Sequence, residues 1–253
     1  MDNELKTLID NIDQLRGRLD HARPLLNEKM LRALDIEYTY DSNRIEGNTL
    51  TLRETDIVIN KGLTVGGKSL REHLEATNHY EAIVYIRELI KDKITISEKL
   101  IRDIHSLILR GIDRKNGGVY RHVPVMISGS RHTPPQPWQV PKLMEDLIHW
   151  ATQAQNNLHP VLFAAEIHER IATIHPFIDG NGRTARLMMN LVLLQNGYAI
   201  VNIPGDSKNR LAYYNALEKC NLEKDKTDFY LLIARYTHQR MHKIVNILGV
   251  ANG

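Results

Sequence analysis

The chain has 253 residues, of which 42% are hydrophobic and 25% charged, so it can bury one substantial core. The net charge of +3 is small and spread along the chain, which argues against nucleic-acid binding. The single cysteine excludes an internal disulfide, and no apolar run approaches the ~20 residues of a membrane span. The N-terminus lacks the basic start and apolar stretch of a signal peptide, so we expect a cytoplasmic protein without a membrane partner.

The first predicted element is an N-terminal amphipathic helix. Its apolar stripe at helical spacing consists of Leu5, Leu8, Ile12, Leu15 and Leu19. Pro24 ends it. Such a helix needs something to pack on, which is either the core or a second subunit of a homo-oligomer. We therefore predict a helical extension over residues 1–40 and one further domain over residues 41–253.

Residues 62–69, GLTVGGKS, match the phosphate-loop pattern GxxxxGK[ST]. Ile57 to Ile59 would then be the preceding strand. A phosphate loop also needs a parallel sheet and a second apolar strand that ends in Asp for the metal. The chain offers neither, and the run after residue 69 has the pattern of a long helix. The pattern therefore argues against a P-loop NTPase and predicts that Lys68 is a solvated loop residue.

Residues 123–135, VPVMISGSRHTPP, predict a short β-hairpin. Val123, Val125 and Ile127 alternate with other residues, and Gly129 with Ser130 supplies a turn. The two prolines that follow end any ladder.

Residues 160–197 predict two helices joined by a loop. Pro160 opens the first helix, and Gly197 stops the second. Apolar residues recur at helical spacing on both sides of the loop: Phe163, Ile167, Ile171, Ile174, then Leu187, Leu191 and Leu194. His168 lies on the first helix with no cysteine or second histidine at zinc-ligand spacing, so we interpret it as a polar contact within the packing.

The loop itself, HPFIDGNGRTAR at residues 175–186, has the residue types of a nucleotide site. Gly180 and Gly182 allow a tight turn and a close approach of backbone N–H groups to an anion at the N-terminus of the next helix. Arg183 and Arg186 share one helical face, where both guanidiniums can hold a polyphosphate.

The same loop supplies an acid and a base. Asp179 offers one carboxylate, which with phosphate oxygens and waters is the usual protein contribution to a Mg²⁺ site. His175 is the obvious general base, because the pKa of imidazole lies nearest neutrality. A helix-capping loop with solvated arginines is the alternative interpretation of the same residues.

This stretch resembles the Fic family motif HPFx[D/E]GNGRxxR at every specified position. The resemblance implies a mostly α-helical bundle with a short β-hairpin flap. It also implies the roles of the loop residues: catalysis by His175 and Arg183, metal binding by Asp179, and nucleotide binding by Gly180, Asn181, Gly182, Arg183 and Arg186.

Residues 41–48, DSNRIEGN, resemble the inhibitory signature of that family, [S/T]xxxE[G/N], through Ser42, Glu46 and Gly47. In the family the glutamate pairs with the second motif arginine, here Arg186, and blocks the productive pose of the γ-phosphate. The alternative is an ordinary helix end, with Ser42 as its cap and Gly47 as its terminator.

The resemblance also assigns a target site and an adenosine site. The segment 123–135 resembles the flap that holds the target by strand addition, which implicates Val125, Met126, Ile127, Arg131 and His132. In the later helix RLAYYNALEKCN, the resemblance suggests that Tyr213 or Tyr214, together with Asn221, holds the adenosine.

The function implied by the resemblance is Mg²⁺-dependent transfer of AMP from ATP to a Ser, Thr or Tyr hydroxyl of a target protein, which includes the enzyme itself. Removal of AMP, or another phospho-transfer of the family, is an alternative. A further alternative is a regulatory module that binds a nucleotide without turning it over.

Overall fold

The computed structural model describes residues 3–92 and 94–249, and within them the chain is a bundle of ten α-helices. In chain order these are α1 (Asn3–Ala22), α2 (Glu28–Ile45), α3 (Leu52–Lys61), α4 (Leu70–Leu89), α5 (Glu98–Ile108), α6 (Val140–Ala154), α7 (Pro160–Ile174), α8 (Asn181–Gln195), α9 (Ser207–Glu223) and α10 (Thr227–Ile247). The mostly helical fold predicted from the sequence is thus confirmed.

The helix ends follow from local chemistry. Thr51 and Ser69 cap α3 and α4 in full capping boxes, in which the cap side chain and the third-residue glutamate satisfy each other's backbone N–H groups. Pro160 occupies the first position of α7, where its missing N–H costs nothing. The cap of α2 is Asn27, so Ser42 lies inside that helix and is not its cap.

Helices α7 and α8 form the centre of the bundle and carry the 175–186 loop between them. Nearly all of the α8 side chains are buried, including those of the polar residues Asn181, Arg183, Thr184, Arg186 and Asn190. The apolar stripe of α1 packs along α10 and belongs to the same core as α7 and α8. The loop is therefore held between two helices that tertiary packing fixes on all sides.

Residues 62–69, which match the phosphate-loop pattern, do not form a phosphate loop between a strand and a helix. Ile57 to Ile59 lie within α3, and residues 62–69 connect α3 to the capped start of α4. Lys68 is half-buried rather than solvated, because its Nζ donates to the Thr49 carbonyl at 2.6 Å and contacts the Thr49 hydroxyl at 3.0 Å. Among the described residues, none of the helices is both long and apolar enough to cross a membrane.

The predicted β-hairpin at residues 123–135 is not confirmed, since the structure has no strand there. The segment keeps only the turn, in which the Ser130 N–H donates to the Ile127 carbonyl at 3.1 Å. The two residues after the turn are held by side-chain contacts instead of a ladder: Arg131 pairs with Glu218 at 3.0 Å, and His132 Nε2 lies 2.9 Å from the Thr173 carbonyl. The prolines that flank the turn cannot donate to a ladder.

Three buried histidines make the core sensitive to acid. Desolvation by burial lowers the pKa of His105 to about 4 and of His168 to about 3, and it lowers the pKa of His79 well below its ordinary value. Between pH 6.5 and pH 4 the unfolded chain therefore binds protons that the folded chain does not. The stability from these neutral imidazoles is complete above pH 6.5 and is lost as the pH falls.

We expect the midpoint of thermal unfolding to fall by about 10 °C or more between pH 7 and pH 5, an interval above the ordinary carboxyl range. Thermal melts followed by circular dichroism at half-unit steps measure this. The variant His79→Gln removes one of the three groups, and its melting temperature should depend less steeply on pH. A wild-type midpoint that does not move between pH 7 and pH 5 would contradict the argument.

Candidate active site

His175 lies at the C-terminal end of α7 in the left-handed backbone conformation, with φ 51° and ψ 57°. A non-glycine residue in this region carries strain that surrounding contacts must hold. Arg121 supplies such contacts: its Nε donates to the His175 carbonyl at 2.8 Å, and its backbone N–H donates to the Pro176 carbonyl at 2.9 Å. His175 lines a cavity at this turn.

The His175 imidazole is neutral at physiological pH. Burial is the largest cause and lowers its pKa to about 4; the charge of Arg121 acts in the same direction, while the Ala172 carbonyl and the Glu46 carboxylate oppose it. Nδ1 lies 3.4 Å from the Ala172 carbonyl, which favours the tautomer with the proton on Nδ1. The Nε2 lone pair is then free to accept a proton.

The turn from residue 177 to residue 181 is locked by its own side chains. The Asn181 amide accepts from the Phe177 N–H and donates to the Phe177 carbonyl, both at 2.9 Å. Gly180, with φ 77°, caps the start of α8, and its N–H donates to the Asp179 carboxylate at 2.6 Å. His105 supports this turn from below, with Nε2 2.8 Å from the Asp179 carbonyl and its ring stacked on Phe177.

Asp179 is the half-exposed carboxylate of this turn. Burial raises its pKa, but Arg183, the Gly180 N–H and Arg71 outweigh that cause, so the pKa is lowered overall and the group is ionised. Among the described residues no cluster of three or more His, Cys, Asp or Glu could hold a metal by itself. A single ionised carboxylate fits an ion such as Mg²⁺, whose other ligands are phosphate oxygens and water.

Arg183 is buried, yet its Nε and Nη1 have no hydrogen-bond partner in the structure. Its charge is balanced only at longer range, with Nη1 3.5 Å from Glu75 and Nη2 3.5 Å from Asp179. Unsatisfied buried donors are costly and normally find partners. Arg183 also lines a cavity beside Asp179, and a guanidinium with unpaired donors near the N-terminus of α8 is suited to an anionic ligand.

Arg186, by contrast, is fully occupied. Its Nη2 lies 2.7 Å from Glu46 Oε1 and donates to the Ser42 carbonyl at 2.9 Å, while its Nε donates to the Ser42 hydroxyl at 3.0 Å. The Ser42 hydroxyl also lies 2.9 Å from His79 Nε2. Ser42 and Glu46 thus both contact Arg186, although they lie about 140 residues from it in the sequence.

Glu46 also covers the N-terminus of α8. Its carboxylate approaches Gly182 so closely that a Cβ at that position would overlap it. The start of a helix, with free N–H groups and a positive dipole end, is where an anion binds. The Glu46 carboxylate therefore lies at a place suited to an anion, and Glu46 lines both cavities of the site. One has a volume of about 450 Å³ beside His175, and the other about 320 Å³ beside Asp179.

The larger cavity is lined by most of the residues predicted for adenosine and target binding. Tyr214 is partly exposed and donates to the Ile45 carbonyl at 3.1 Å. Tyr213 is buried behind Arg186, with its hydroxyl 2.9 Å from His168 Nε2. Asn221 accepts from the Thr173 hydroxyl at 2.7 Å. Of the predicted flap residues, only Met126 and Ile127 line this cavity.

Several residues of the site have no motif that would reveal them. Arg71 and Glu75 of α4 reach Asp179 and Arg183, and Arg121 and His105 support the loop from outside it. The sequence gives no signal for these four residues. Each reaches the loop through a tertiary contact, and residue spacing along the chain does not predict such contacts.

The chain is similar to known proteins over a region that includes the 175–186 loop. The model of the Fic/DOC family matches residues 95–193. The protein adenylyltransferase Fic of Drosophila grimshawi is 40% identical over 206 residues, 81% of this chain and 42% of that protein. Its counterpart in Drosophila mojavensis is 39% identical over 236 residues, 92% of this chain and 46% of that protein. The chain spans less than half the length of these curated relatives.

Two solved structures have the same fold. A Fic domain containing signaling protein from Bacteroides thetaiotaomicron superposes with a TM-score of 0.79 at 31% identity, over 95% of both chains. The structure of Fic-1 (aa134–508) from C. elegans superposes with a TM-score of 0.85 at 27% identity, over 98% of this chain and 74% of that one. The helical fold and the loop motif define a Fic-type protein, and this chain belongs to the Fic/DOC family.

Proposed function

We propose that the chain transfers AMP from ATP to a Ser, Thr or Tyr hydroxyl of a protein. The observation that carries the proposal is the arrangement at the start of α8, where a neutral His175 and the open donors of Arg183 flank a helix N-terminus. The name protein adenylyltransferase, which the Drosophila relatives bear, supports the same activity. Residues 41–253 would carry this activity, and α1 would support it by packing on α10.

In the proposed reaction the target hydroxyl oxygen forms a bond to the α-phosphorus of ATP. The bond from that phosphorus to the bridging oxygen breaks, and pyrophosphate leaves. His175 Nε2 accepts the hydroxyl proton. Backbone N–H groups at Asn181 and Gly182 and the guanidinium of Arg183 would stabilise the phosphate charge, with Arg186 joining them once Glu46 moves away.

Asp179 would hold the Mg²⁺ ion, which when bound neutralises charge on the phosphates. The open face of the larger cavity, beside Met126 and Ile127, would receive the target segment, and Tyr214 with Asn221 would contact the adenosine. Arg131 and His132 would hold the turn in place through Glu218 and Thr173. A cytoplasmic location, self-modification and a homo-oligomer are predictions that rest on the sequence alone.

The proposed brake is the Glu46 carboxylate on Arg186. Removing it frees the guanidinium and uncovers the helix N-terminus, so the variant Glu46→Gly should transfer AMP about tenfold faster or more. We would incubate wild type, Glu46→Gly and Glu46→Gln with ATP and Mg²⁺ and follow intact mass, where each AMP adds about 329 Da. Pyrophosphate release reports transfer to any acceptor.

The Gln variant keeps the size of residue 46 but loses its charge, so we expect an intermediate rate. An unchanged rate in Glu46→Gly, with ATP binding intact, would remove the proposed brake. If no variant gained mass or released pyrophosphate, a nucleotide-binding module would replace the proposed enzyme.

Removal of AMP is the second candidate, because Glu46 and His175 line the same cavity and a carboxylate there can position a water. It would be detected as loss of the added mass from modified Glu46→Gly protein when wild type is supplied without ATP.

A further inference from the structure

Four charged side chains form a closed ring around the smaller cavity, and two of them lie outside the 175–186 loop. Arg71 Nη2 contacts Asp179 Oδ2 at 2.6 Å, and Asp179 Oδ1 lies 3.5 Å from Arg183 Nη2. Arg183 Nη1 lies 3.5 Å from Glu75 Oε1, which returns to Arg71 Nε at 3.1 Å. Positive and negative groups alternate in this charge ring, and its formal charge is zero.

The members of the charge ring differ in how easily they move. The Arg183 side chain is 2% exposed and fixed within α8, whereas that of Arg71 is 57% exposed at the start of α4. The other oxygen of Glu75, Oε2, accepts a hydrogen bond from the Asn48 side-chain amide at 3.0 Å. An exposed arginine can turn into solvent at little cost, because a surface ion pair contributes only ~0–1 kcal/mol. Arg71 is therefore the movable member.

The two oxygens of Asp179 are also not equivalent. Oδ1 accepts from the Gly180 N–H at 2.6 Å and faces Arg183. Oδ2 has the Arg71 guanidinium as its contact. A divalent cation approaching Oδ2 would meet that guanidinium at short range, where two cations repel strongly. Binding of the cation at Oδ2 is therefore opposed for as long as the Arg71 guanidinium stays in contact with that oxygen.

We propose that Arg71 is a positioning residue that occupies the Asp179 oxygen a divalent cation would take, competes with the cation for it, and so sets the metal concentration that the site requires. The inference rests on the proposed function in one respect, which is that Asp179 is the metal-holding carboxylate. The loop motif assigns no role to α4, and Arg71 would affect the cation through its contact with Asp179.

Mn²⁺ alone is a suitable probe, since its binding is read from water-proton relaxation without nucleotide or turnover. We expect Arg71→Gln to bind Mn²⁺ about tenfold tighter than wild type at low ionic strength, because one positive charge leaves the immediate surroundings of the site. Arg71→Lys keeps a cation there and should remain near wild type. Arg53→Gln is the matched control, since Arg53 is exposed on α3 and does not line the smaller cavity.

Adding Asp179→Asn to Arg71→Gln should abolish the gain, which locates the bound ion at the carboxylate. The inference fails if Arg71→Gln binds Mn²⁺ no more tightly than Arg53→Gln, or if the gain survives Asp179→Asn. Should the Gln variant be unstable in thermal melts, Arg71→Met makes the same change of charge. Because no transfer is measured, loss of the proposed function and loss of this inference are separate outcomes.

Discussion

Alanine at His175 in the Glu46→Gly background is expected to lower AMP transfer about a thousandfold while changing ATP affinity less than about twofold. A general base contributes at this scale only if it is unprotonated, and burial provides that by lowering the pKa of His175 to about 4. In the proposed site the phosphates of ATP would, by contrast, be held by the N-terminus of α8 and by the two arginines, none of which the substitution touches.

The measurement pairs single-turnover rates, from intact mass, with calorimetric titration of a non-hydrolysable ATP analogue. His122→Ala in the same background is the matched control, because His122 is exposed and does not line either cavity of the site. If the two alanine variants transferred AMP at similar rates, His175 would not be the base. If the His175 variant failed to bind the analogue, the residue would be structural at the loop.

The loop was predictable from sequence because its chemistry is local. Residues 175–186 are contiguous, and the helices on either side have apolar residues at regular spacing, so position along the chain was enough to place base, carboxylate and arginines together. The contact of Glu46 with Arg186 spans about 140 residues. The residue types at 42–47 are equally compatible with an ordinary helix end. Only the family resemblance linked Glu46 to Arg186.

The remainder of the site depends on tertiary packing. Arg71 and Glu75 face the loop because α4 packs against α8, and Arg121 reaches the His175 carbonyl from a segment without regular structure. Neither the packing of α4 on α8 nor the contact of Arg121 with His175 produces a periodic pattern in the sequence. At residues 123–135 the sequence has a pattern that the structure does not realise. Val123, Val125 and Ile127 alternate as in a strand, but no partner strand lies beside them within the described residues.

Replacing Arg186 by methionine is expected to remove transfer and to destabilise the protein, and a second substitution can separate the two effects. The guanidinium is buried and donates to four groups: the Glu46 carboxylate, the hydroxyl and carbonyl of Ser42, and the Tyr213 hydroxyl. Its loss leaves a partly buried carboxylate unpaired, which should lower the free energy of unfolding by about 3 kcal/mol. Urea denaturation measures this, and intact mass measures transfer.

Glu46→Gly removes the stranded carboxylate, so the double variant Glu46→Gly/Arg186→Met should recover part of the lost stability, with a coupling of about 1–2 kcal/mol. Transfer should not recover, since the methionine side chain is uncharged and cannot hold a phosphate. Recovery of both stability and transfer would mean that Arg186 serves only to anchor α2. Recovery of stability alone would show that the same guanidinium fixes Glu46 at rest and the phosphate in the reaction, which is the physical basis of the proposed brake.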